Sequence, residues 1–86
     1  MSGRGGGGTD AGTAVRVGET VTLSEEDYRY GVGAMRLRVT EVLGTVPFPD
    51  GDHVHVRGVQ LRSDGTGRGV REAYLRLQAL LRLRGR

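Results

Sequence analysis

Cysteine is absent from this chain, and so are lysine, asparagine, isoleucine and tryptophan. Without a thiol there is no disulfide, no thiolate metal site and no cysteine nucleophile. Without lysine there is no Schiff-base chemistry, and no Walker-type loop, whose lysine must reach the terminal phosphates. No stretch approaches the roughly 18 to 20 apolar residues of a membrane span, and the N-terminus carries no apolar signal core. Together these absences lead to the expectation of a soluble, cytoplasmic protein. Aromatics are scarce too, at three tyrosines and one phenylalanine, so an RNP-type aromatic strand is excluded.

At 86 residues the chain is one domain at most, and a domain this small buries only about 60% of the surface of its unfolded form. Its 13 basic side chains are all arginine, a bias that a GC-rich genome explains as well as selection for bidentate anion recognition does. Position says more than the total. Residues 15–33 hold two arginines and four acids, whereas residues 63–86 hold six arginines and two acids. Residues 1–14 are glycine-rich, with Met1 the one apolar side chain larger than alanine. Such a segment has nothing to offset its ordering entropy and is expected as a disordered tail, leaving 15–84 as the domain.

From Val15 the pattern has a period of two. Val15, Val17, Val21 and Leu23 alternate with polar residues around a Gly18-Glu19 break; Met35, Leu37 and Val39 do the same until Val42 shifts the phase. Val54 and Val56 alternate with His53, His55 and Arg57, which predicts both histidines on the solvent side. Gly58 reads as a bulge after which Val59 and Leu61 resume the buried face. Ser63 to Gly69 reads as a wide hairpin loop. The segment after it fits a strand from about Val70 to Ala79, although Leu77, Leu80 and Leu81 also suit a helix. The expected fold is all-β: a small antiparallel barrel or rolled sheet of four or five strands, its last segment open to a helical reading.

The most specific pattern is the connector Ser24-Glu25-Glu26-Asp27-Tyr28-Arg29-Tyr30-Gly31-Val32-Gly33. Ser24 with Asp27 three residues on approximates a capping box, so a single helical turn is expected there. Tyrosines supply large contact area at low entropic cost, and acids pair with arginines. Tyr28, Tyr30 and Phe48, with Glu25, Glu26 and Asp27, are therefore the candidate partner-binding residues. Phe48, between Pro47 and Pro49, is either folded over the core or held out as an anchor.

The alternative is nucleic-acid binding through arginines at outward strand positions, namely Arg36, Arg38, Arg57, Arg62, Arg76 and Arg82. Acids around the tyrosines would repel phosphate and weigh against it. Asp50, Asp52, His53 and His55 are the nearest approach to a metal set, but Pro49-Asp50-Gly51 is first a turn signal, and no metal or cofactor is expected. Ser24 or Ser63 with a histidine and an acid could be assembled into a triad only on paper, since no nucleophile elbow is present. No enzymatic activity is expected.

Asp27 to Gly33, followed by Leu37-Arg38-Val39-Thr40, resembles small uncharacterised β-rich proteins of high-GC actinobacteria, over roughly Val17 to Leu80. The resemblance implies an accessory protein encoded with multi-gene regulatory or conflict systems, and it transfers no catalytic residue. The expected function is docking to another macromolecule, either another protein or a second copy of this chain.

Overall fold

Residues 14–84 are described by a computed structural model. The alternating segments form four strands, β1 (Thr20–Leu23), β2 (Met35–Phe48), β3 (Gly51–Leu61) and β4 (Gly67–Arg76), followed by a helix, α1 (Leu77–Arg84). They pair antiparallel in chain order, β1-β2-β3-β4, as a curled half-barrel sheet. The all-β rolled sheet expected from the sequence is what forms. Among the described residues, no helix is long and apolar enough to cross a membrane.

Val21 and Leu23, Met35, Leu37 and Val39, Val54 and Val56, and Ala73 and Leu75 are buried on one face of the sheet. The opposite face carries cross-strand rows: Thr20, Arg38, Val59 and Val70; Thr22, Arg36, Leu61 and Gly67; Glu41, Arg57 and Glu72. Val59 and Leu61 thus lie in the arginine rows, where they are half-buried, instead of rejoining the core. The reason is that Gly58 is not a bulge. The register slips are in β2, where Thr40 and Leu43 are the extra residues, and β3 runs through unbroken. Gly58 is still required. A Cβ there would collide with the Arg38 carbonyl and lie 3.0 Å from the Leu37 side chain, because the bulged strand presses against it.

Three further expectations are corrected at the strand ends. Val17 is exposed, because residues 16–19 form a turn in which the Glu19 N–H donates to the Arg16 carbonyl at 3.1 Å. Gly67 to Gly69, read as loop, already belongs to β4 and pairs with Leu61 and Gln60; the tight loop is closed by Arg62 N–H to the Thr66 carbonyl at 2.9 Å. Strand β4 stops at Arg76 instead of Ala79, since its ladder with β3 ends at the His53 and Arg76 pair. Without a neighbour to pair with, the chain satisfies its backbone groups as a helix built from good helix formers. Helix α1 then buries Ala79 and Leu80, with Leu80 in the core and Leu77 packed against it. Ala14, placed in the tail by composition, is fully buried with Val15, and the remainder of that predicted tail lies outside the described residues.

Candidate functional site

The connector between β1 and β2 closes the half-barrel. Glu25–Asp27 forms one 3-10 turn, and the Asp27 carboxylate accepts from the Ser24 N–H at 2.9 Å and its hydroxyl at 3.0 Å. Tyr28 then forms a β-bridge to Leu75, and the Arg29 N–H donates to the Tyr74 carbonyl at 2.8 Å. The connector thereby lies along the free edge of β4 and returns to β2. Its return depends on Gly31, where a Cβ would strike the Glu25 carbonyl and approach the Tyr28 ring at 3.1 Å.

Tyr28 is consequently a core residue, contrary to its expected place on a contact surface. Its hydroxyl donates to the Gly33 carbonyl at 2.8 Å and accepts from the Val32 N–H at 3.2 Å, so the ring plugs the loop it belongs to. Phe48 is half-buried, folded back on its neighbours instead of held out. It packs edge-on to His53 at 4.7 Å and Tyr74 at 5.5 Å, with the Arg29 guanidinium 4.1 Å above its ring. Two of the acids are internal fasteners: Glu25 accepts from the Gly33 N–H at 3.2 Å and Asp27 meets Arg82 at 3.1 Å, whereas Glu26 contributes its backbone carbonyl, which accepts from Arg76 Nε at 2.9 Å, and its side chain is exposed.

Tyr30 stands apart. Its φ of 59° lies in the left-handed region, and the side chain is 74% exposed beside Val32 at 89%. Arg29 sits 5.6 Å from the Tyr30 ring. Its pKa is raised, chiefly through the Tyr30 side chain, with desolvation acting against the shift and Asp50 adding to it.

The six outward arginines divide. Arg76 and Arg29 each donate to one oxygen of Asp50 at 2.8 Å, and Arg76 above all holds the Asp50 carboxyl down to about 2. Arg57 bridges Glu41 and Glu72, lowering the Glu72 pKa with help from His55. Arg82 is taken by Asp27. Arg62 is tied into its hairpin loop by a 2.7 Å bond from Nη1 to the Gly67 carbonyl. Arg36 and Arg38 remain exposed, and Arg36 and Arg62 share a groove of about 590 Å³ with Arg68. Arg68 was not singled out from sequence; its signal is that it and Arg62 bracket the turn and so must emerge side by side.

Both histidines occupy the outer face, as alternation requires, but only His55 resembles a surface residue. It stacks on Tyr74 at 4.5 Å and contacts Glu72 at 2.9 Å. His53 is fully buried, because Phe48 folds back over it and its Nδ1–H donates to the Gly51 carbonyl at 3.0 Å. With Asp50 committed to two arginines, these side chains do not converge, and no group of three metal-ligating residues occurs among the described residues. No family model, curated protein or solved structure matches the chain.

Proposed function

We propose that this protein is a non-enzymatic, cytoplasmic docking module of the actinobacterial accessory type, and that it contacts another protein through the knob formed by Tyr30 and Val32. The observation that carries this reading is the left-handed backbone of an exposed tyrosine. A side chain there costs on the order of 1–2 kcal/mol that glycine would avoid. Strain of that kind persists where the protruding group is used, and tyrosine is a favoured interface anchor. Nucleic-acid binding is less well supported, since Arg57, Arg76 and Arg82 already face carboxylates. The burial of His53 beneath Phe48 and the engagement of His55 by Tyr74 and Glu72 support a non-catalytic role.

Tyr30→Gly separates docking from folding. The variant is expected to melt at or above the parent temperature, because it relieves the strained backbone, while losing partner capture from host extract treated with nuclease. A hot-spot tyrosine contributes about 2 kcal/mol or more, roughly thirtyfold in affinity. Capture that survives in both Tyr30→Gly and Val32→Ser, or that disappears with nuclease alone, removes the reading.

A further inference from the structure

We infer that the groove bounded by Arg36, Arg62 and Arg68 is a receptor for an extended acidic segment of the partner protein, a site adjoining the knob but separate from it. The inference rests on the docking reading for the nature of the partner, and on different residues for the contact. Four arginines elsewhere, Arg29, Arg57, Arg76 and Arg82, each meet a carboxylate within 3.1 Å. The groove reverses this. It gathers three guanidinium groups, and no carboxylate lines it. The acid in the adjoining loop, Asp64, is turned into that loop, where its Oδ1 accepts from the Thr66 N–H at 3.0 Å and the Thr66 hydroxyl at 2.7 Å. The side chains of Arg36 and Arg68 have no hydrogen-bond or ion-pair partner among the described residues, so their guanidinium donors remain available. Clustered like charge is unfavourable in the free protein and favours an anionic occupant.

The remaining lining selects the class of anion. Ala34 and Leu61 add apolar surface between the arginines, and Ser63 adds a hydroxyl. No aromatic residue lines the groove, whereas single-stranded nucleic acid is held by stacking its bases on aromatic rings. Carboxylates pair with guanidinium groups in a planar, two-bonded geometry, and an extended peptide alternating acidic and apolar side chains offers both kinds of contact. Its volume of about 590 Å³ falls within the range of about 300–1,000 Å³ common to ligand clefts. Ala34 ends the connector two residues after Val32, so the groove continues the surface on which the knob stands.

The test is fluorescence anisotropy of a short labelled peptide alternating glutamate and leucine, titrated with the full chain at low and at high salt. Saturable binding that weakens with salt is expected, with at least about a tenfold loss in Arg36→Glu and in Arg68→Glu. Arg36→Gln and Arg68→Gln serve as milder variants, and each protein's melting temperature verifies its fold. Arg62 is left intact because its guanidinium holds the loop. Tyr30→Gly is expected to leave peptide binding unchanged, so failure of the knob and failure of the groove are read separately. Absence of saturable binding overturns the proposal, as does indifference to both arginine substitutions. Tighter binding of labelled oligothymidylate at the same residues also overturns it, by making nucleic acid the occupant.

Discussion

Tyr28 and Tyr30 lie two positions apart and have opposite environments. The sequence presents them as equals on a polar connector, and local alternation does not distinguish them. What separates them is a contact from far along the chain: the bridge to Leu75 turns the Tyr28 ring inward, and the left-handed residue two positions later turns Tyr30 outward. His53 was misplaced for a related reason, since its cover comes from Phe48 across the β2–β3 turn and not from its own strand. Tyr28→Phe keeps the ring but deletes the hydroxyl that serves Gly33 and Val32. A cost of about 1–2 kcal/mol is expected, read as a fall in melting temperature of about 4–8 °C per kcal/mol in a domain of this size. Tyr28→Ala removes a buried ring at about 3–5 kcal/mol, and loss of cooperative unfolding is expected in a chain so small.

At the scale of elements, alternation located all four strands and the facing of Leu37, Val39, Val54 and Val56. It failed wherever the ladder itself decides the outcome. Register is a property of two strands at once: the phase shift at Val42 marks the slip in β2, where it occurs, while Gly58 suggests a second one in β3 that the ladder does not have. The end of β4 was equally hidden, because it is set by where β3 begins to pair. Gly58→Ala tests the corrected account. Its new Cβ meets backbone at Arg38, which has no room to retreat between paired strands, and a loss of about 1–3 kcal/mol is expected by chemical denaturation. Stability equal to the parent would show that β2 can relax away. Helix α1 gives the converse test. Leu80→Asp places an unpaired charge in the core and is expected to abolish the cooperative transition, whereas Arg82→Ala breaks only the exposed contact with Asp27 and is expected to cost less than about 1 kcal/mol.

For the molecule as a whole, charge and closure act together. The Asp50 carboxyl is held down to about 2 by Arg76 first and by Arg29 as well, against an ordinary value of 3.8. Because its folded pKa lies below its unfolded one, the stabilisation is fully present above the unfolded value and is lost as pH falls from about 4 towards 2. Glu72 and Asp64 are shifted in the same direction and add to the same acid limb. Asp50→Asn is therefore expected to melt below the parent at pH 7 and to converge with it near pH 2, in melting curves recorded across that interval. A gap that persists at pH 2 would assign the effect to packing instead of charge. The bridge from Tyr28 to Leu75 also sets an order of events. The meander's hairpins join near neighbours in the chain, but this bridge, with the neighbouring bonds from Arg29 to Tyr74 and from Arg76 to Glu26, ties the first connector to the last strand and must wait until β4 is in place. In stopped-flow measurements, Arg76→Ala, which removes the Nε–H donated from β4 to the Glu26 carbonyl of the connector, is accordingly expected to accelerate unfolding by about tenfold per 1.4 kcal/mol lost while leaving the folding rate unchanged, so that the closure acts as a latch on the rate of opening.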